Sequence, residues 1–202
     1  MAILDDERLN IDRLHLKENQ LRLLMDTGRY VDDTIIQAAN ILFKESFPAV
    51  AGFEDTLYRQ RPQLRTRYHP TAANIYHLGK SEHFVATIYV APNNILFLDS
   101  LHPGGKPSES VIKQLKRSYI FTRQTIIVDS IFVQKQTGVD CGAFSVANIW
   151  AVLSGMELRT TQFCEDNIRS ELYTSFKKGK LFFNTTTCKR RKRSKSYRFK
   201  IV

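Results

Sequence analysis

Residues 143–154, AFSVANIWAVLS, run for twelve positions without a charge and are followed by Gly155. A stretch this apolar and this long reads as a helix enclosed by the fold. The rest of the chain must wrap around it, and Gly155 stops it. Just ahead lies QTGVDCGAF, residues 136–144, which places Cys141, followed by Gly142, at the first turn of that helix. There the backbone N–H groups lack helical partners and the helix dipole presents its positive end. That setting suits a thiolate, the nucleophilic form of cysteine, and an oxyanion hole built partly from backbone N–H groups. It suits a buried apolar thiol with polar neighbours equally well.

Around this helix the pattern is mixed. Leu14, Leu21, Leu24 and Met25 set an apolar stripe at helical spacing over 10–27. Ile35, Ile36, Ala39, Leu42 and Phe43 do the same over 34–46, with Asp32 or Asp33 as N-cap and Pro48 and Gly52 beyond the end. Residues 53–72 are polar and read as a short helix and a loop. Strands are expected at 75–78, 84–91 (FVATIYVA) and 95–98 (ILFL), with Pro92-Asn93-Asn94 as a turn. A helix follows at 108–118, then strands at 125–128 (TIIV) and 131–133 (IFV). A last amphipathic helix at 161–177 carries Cys164 between Phe163 and Ile168, where a buried thiol is expected. The class is α+β, a mostly antiparallel central sheet with helices packed around it.

Charge and cysteine usage narrow the setting. The net charge is +10, but the last fourteen residues, KRRKRSKSYRFKIV, hold eight Lys or Arg and no acid, so the body is only about +2. The run Lys189, Arg190, Arg191, Lys192, Arg193, Lys195 reads as a solvated end, a nuclear import signal or a nucleic-acid contact that releases phosphate counterions. Three widely spaced cysteines, 141, 164 and 188, argue against a disulfide framework and for a reducing, intracellular compartment. No close Cys or His pair has metal-ligand spacing, so no metal is expected. No apolar run approaches the roughly 20 residues of a membrane span. The opening MAILDDERLN lacks the basic and apolar regions of a signal peptide.

A cysteine nucleophile needs a histidine base oriented by a third group. Of the five histidines, His83 opens the most convincing strand, and Asp99 closes the strand paired with it. A hairpin turning at 92–94 sets Asp99 opposite residue 88 and His83 opposite 104, outside the regular ladder. Simple register therefore does not bring them together. A bulge, or strands that are not direct partners, would.

The residues nevertheless resemble the ubiquitin-like-protein proteases, the SUMO-protease and adenovirus-protease type of cysteine peptidase. The resemblance rests on His83-Phe84, the LFLDSL of 96–101 and the QKQTGVDCGAF of 134–144, in the order His, Asp, Cys, where papain-type enzymes place Cys first. The segment GRYVDDTIIQAANILFKESFP, 28–48, is similar to the one that opens the domain with a capped helix. The likeness is strongest to members from transposable elements and large DNA viruses. It covers about 28–183, leaving 1–27 as a helical extension and 184–202 as a basic tail. It implies a papain-like core with permuted His-Asp-Cys order, Cys141 as nucleophile, His83 as general base and then acid, and Asp99 as the group that fixes the imidazole tautomer. It also implies an oxyanion-hole glutamine, either Gln136 or Gln134, with Gln136 preferred because it adjoins the Thr137-Gly138 turn. Phe84 would wall a narrow channel for a Gly-Gly tail, where the family usually has Trp, and Gly142 would border the substrate.

The resemblance implies hydrolysis of a peptide or isopeptide bond after a small residue. The substrate would be a ubiquitin-like protein or an element- or virus-encoded precursor. A monomer needing no cofactor is expected, in the nucleus, with DNA as a candidate activator through the tail. Two other classes compete. One is a weakly catalytic binding module for ubiquitin-like tails, and the other is a nucleic-acid-binding protein acting through the tail.

Overall fold

The computed structural model describes residues 2–56, 72–78, 83–91, 93–118, 125–188 and 197–201. Five strands form one sheet: Ala73–His77 (β1), Phe84–Ala91 (β2), Asn94–Leu98 (β3), Ile126–Ser130 (β4) and Tyr197–Ile201 (β7), side by side in that order. Only the β3/β4 pair is parallel, and the other three neighbours are antiparallel. A short pair, Thr161–Phe163 (β5) with Thr185–Thr187 (β6), stands apart. The helices are α1 (Ala2–Arg13), α2 (Glu18–Met25), α3 (Asp33–Ser46), α4 (Glu109–Ser118), α5 (Cys141–Leu153) and α6 (Ile168–Lys178).

The sheet is covered on both faces, which is why β2 is an almost unbroken apolar run. Along it Phe84, Ala86 and Ile88 pack into the main core with α3, α5 and α6. Val85 and Tyr89 point the other way, to a smaller core closed by Val111 and Leu115 of α4. The period of two is that of the pleat. Helix α5 runs through the main core, with every residue from Cys141 to Ile149 buried, as its lack of charge requires.

Asp32 is the residue that caps α3, accepting the Ile35 N–H at 3.1 Å. The helix expected at 10–27 is two, α1 and α2, broken where His15 takes a positive φ of 56°. The break serves packing, since Leu14 and Leu16 on either side of it are buried in the main core. The α1–α2 segment is thus joined to the body, and Lys177 of α6 binds Glu7 at 2.6 Å. The strand expected at 131–133 joins no ladder. The helix expected at 161–177 begins only at Ile168, after β5 and a 3-10 turn at Glu165–Asn167. Cys164 consequently lies in an exposed connection, not in a buried helix face. Most of 53–72 lies outside the described residues.

The C-terminus departs furthest from expectation. The segment 184–202 is not wholly a solvated tail, because β6 and β7 belong to it. β7 lines the β4 edge from Ile126↔Ile201 to Ser130↔Tyr197, Arg198 pairs with Asp129 at 2.6 Å, and Ile201 is buried. Alternation again explains it: in YRFKI the apolar positions 197, 199 and 201 share one face. The basic residues 189–195 fall outside the described residues.

Candidate active site

Three element ends meet at one place: the start of β2, the end of β3 and the start of α5. The β2/β3 ladder pairs Ala86 with Leu98 and Tyr89 with Ile95, then shifts at a bulge so that Ala91 meets Asn94. Asn94 is already strand, and Asn93 takes a left-handed φ of 63°, so the turn is tighter than the three residues expected. Continued past Leu98, the ladder sets Asp99 opposite Val85, not residue 88. His83 is then the diagonal neighbour of Asp99, within reach of its side chain.

Contact follows: His83 Nε2 lies 2.9 Å from Asp99 Oδ1, with both side chains buried. The carboxylate is held by the turn it opens, since Oδ1 also accepts the N–H groups of Leu101 at 2.9 Å and His102 at 3.0 Å. The exposed His102 ring stands 3.5 Å from Oδ2. Burial alone would raise the Asp99 pKa. The His83 hydrogen bond and charge, and the His102 N–H, outweigh it and hold the carboxyl below its ordinary range. His83 is the mirror case. Burial disfavours its charged form, but hydrogen bonds and charge from Asp99 and Cys141 prevail and lift it from 6.5 to about 9. With Nε2 engaged by Asp99, Nδ1 is the nitrogen left for the thiol.

Cys141 is the first residue of α5, fully buried, and its sulfur accepts the Phe84 N–H at 3.4 Å. The sheet therefore reaches Cys141 through both the ring of His83 and the backbone N–H of Phe84. Gly142 packs α5 against the segment before α3. A Cβ there would lie 3.0 Å from Val31 Cβ and 3.4 Å from Ile36 Cδ1. The structure places this glycine in helix packing.

The two glutamines separate. Gln136 is buried beside the Asp99 turn: its N–H donates to Ser100 O at 2.9 Å, Oε1 accepts the Ser100 hydroxyl at 2.5 Å, and Nε2 donates to Gly138 O at 2.8 Å. Gln134 commits both ends of its amide to the backbone of Phe163 in β5, at 2.7 and 3.1 Å. It pins β5.

A groove of about 580 Å3 is lined by Tyr30, Val31 and Asp33 and by His77 and Phe84, the neighbour of His83. Phe84 is both core and wall, with its ring 4.9 Å from that of His77. A second cavity, about 460 Å3, opens on the Asp99 side toward His102 and Lys106. Tyr30 was in view in the sequence, inside the segment 28–48, but only its place in the groove singles it out. Ser100 and Arg169 also escaped the sequence. The signal for Arg169 was a charge on the same helical face as Leu172 and Phe176.

No family model matches the chain, and no curated protein matches it by sequence. The fold does match solved structures. One is the C-terminal Ulp1 protease domain in complex with Smt3, the yeast ortholog of SUMO. It superposes with a TM-score of 0.62 at 14% identity, over 87% of this chain and 95% of that one. Another is the SUMO protease Ulp1 with its catalytic cysteine oxidised to a sulfonic acid, at a TM-score of 0.61 and 14% identity over 86% and 94% of the two chains. The fold is that of the Ulp1 protease domain.

Proposed function

We propose that the chain is a cysteine peptidase that hydrolyses a peptide or isopeptide bond after a small, Gly-Gly-like residue pair. One observation carries the reading: a buried His83–Asp99 pair, 2.9 Å apart, hydrogen-bonded through the imidazole to a cysteine at a helix N-terminus. In this reading the Cys141 thiolate attacks the scissile carbonyl carbon. The oxyanion is met by N–H groups at the start of α5 and by the second Nε2 hydrogen of Gln136, the first being donated to Gly138 O. His83, protonated on both nitrogens, gives its Nδ1 proton to the leaving amine, and a thioester remains. Neutral His83 then takes a proton from water, whose oxygen attacks the thioester carbonyl; the adduct collapses with the Cys141 thiolate as leaving group, so the carboxylic acid product departs and the thiolate–imidazolium pair is restored. Asp99 keeps its charge throughout and fixes the ring.

The groove lined by Tyr30 and Phe84 is assigned to the extended end of the substrate. A ubiquitin-like protein with a Gly-Gly tail offers such an end, and the Ulp1 domain solved with Smt3 supports the choice; a precursor polypeptide is the second substrate class. The residues of the proposed site are assigned to 28–183, within a sheet that β7 completes. The basic run 189–195 is assigned a nucleic-acid contact or an import role, supported by its charge density. The test is turnover of fluorogenic substrates ending in Gly-Gly. Cys141→Ala and His83→Ala are expected to abolish it while the proteins still melt cooperatively. Turnover surviving both substitutions overturns the reading.

A further inference from the structure

The residue before the nucleophile carries a charge whose partner is deep in the protein. Asp140 occupies the N-cap of α5, yet its side chain makes no capping bond. It pairs instead with Nε of Arg169, an α6 residue only 3% exposed. The other four guanidinium hydrogens are also placed. Nη1 donates to the carbonyls of Leu24 at 3.2 Å and Asp26 at 2.7 Å, and Nη2 donates to those of Arg29 and, at 3.4 Å, Val139. All five donors of the fork are used, which a lysine ammonium with three donors cannot reproduce.

The partners fall in two places that matter. Val139 and Asp140 lead directly into Cys141. Asp26 and Arg29 bracket the turn at Gly28 that continues into the groove wall at Tyr30 and Val31. A buried charge is tolerated only with its partners in place, so this group allows one arrangement of both segments. We infer that Arg169 is a positioning residue that ties the nucleophile's N-cap to the substrate-groove wall through one saturated guanidinium. It touches no reacting atom and acts through Asp140 on the approach of Cys141 to His83. The inference rests on the peptidase reading for its effect on turnover, and on geometry alone for its effect on the thiol.

Two variants separate the segments. Asp140→Asn weakens only the link to the nucleophile, whereas Arg169→Lys loosens both. Kinetics are measured on Gly-Gly-ended substrate per titrated active site. Asp140→Asn is expected to lower kcat about tenfold or more with KM within about twofold, and Arg169→Lys to lower kcat and raise KM. A purely structural role would lower melting temperature and leave turnover per titrated site unchanged. In parallel, alkylation of Cys141 by iodoacetamide at neutral pH, followed by peptide mass, reads the Cys141–His83 pairing without any substrate. Both variants should slow it several-fold. If Arg169→Lys does not fold, Asp140→Asn decides alone. Asp140→Asn matching wild type in alkylation overturns the inference, whether or not wild type turns over the substrate. Absence of wild-type turnover counts against the peptidase reading only.

Discussion

His83 holds its proton because Asp99 and Cys141 outweigh its burial, and this sets an alkaline limit on the proposed reaction. The imidazolium is the acid that protonates the leaving amine, so kcat/KM should fall as pH rises through about 9, its raised value. Asp99→Asn removes the carboxylate charge and should move that limb to lower pH, read from a pH–rate profile. Stability follows the same pair. A raised histidine stabilises fully below its ordinary 6.5 and loses that contribution as pH climbs to about 9. A lowered carboxylate contributes above its ordinary 3.8 and loses it on acidification. The melting-temperature gap between wild type and Asp99→Asn should therefore be widest between these two ordinary values and shrink toward pH 9. The glutamines give a second contrast. Gln136→Ala should cost roughly 10²–10³ in kcat, as removal of an oxyanion donor does. Gln134→Ala should lower stability by about 1 kcal/mol through its lost bonds to β5, with kcat per folded molecule unchanged.

At the scale of elements, the site exists because three ends are held in register. The close contact at Gly142 gives a direct probe. Gly142→Val pushes branched carbons into Val31 and Ile36 and should destabilise by about 1–3 kcal/mol, measured by chemical denaturation. The residues of the trio and the elements bearing them were legible in the sequence: a charge-free helix, a cysteine at its start, and two β runs ended by His83 and Asp99. Their meeting was not. It depends on a tight turn at Asn93 and a bulge before Asn94, which shift the ladder by three residues, and periodicity of two cannot reveal where a turn closes. The break between α1 and α2 was hidden for a related reason, since an apolar stripe continues across a kink when both sides face the same core. Arg169 stands on the apolar face of α6 with Leu172 and Phe176, but its partners were not legible, because three of them are backbone carbonyls some 140 residues away.

At the scale of the whole molecule, the C-terminal strand changes how the basic segment must be tested. β7 covers the β4 edge, and its Tyr197 N–H reaches Gly104 O at 3.1 Å, while Gly104 N–H reaches Ile131 O at 3.0 Å. The end of the chain thus braces the loop that follows Asp99. Truncation before Tyr197 exposes a sheet edge and removes Ile201 from its core, so it should lower the melting temperature by several degrees and reduce activity. Neutralising Lys189, Arg190, Arg191, Lys192, Arg193 and Lys195 together leaves the strand in place. That variant should keep basal turnover and lose any stimulation by DNA at low salt, read by titrating duplex DNA into the assay.

The most direct measurement on the proposed mechanism is covalent capture. A Gly-Gly-ended peptide, and a ubiquitin-like protein carrying the same end, each bearing a C-terminal electrophile, are mixed with wild type and with Cys141→Ser, and intact mass is recorded. A single adduct on wild type and none on Cys141→Ser is the result the trio requires. Folded wild type that forms no adduct, or a variant that labels as fast as wild type, would contradict it.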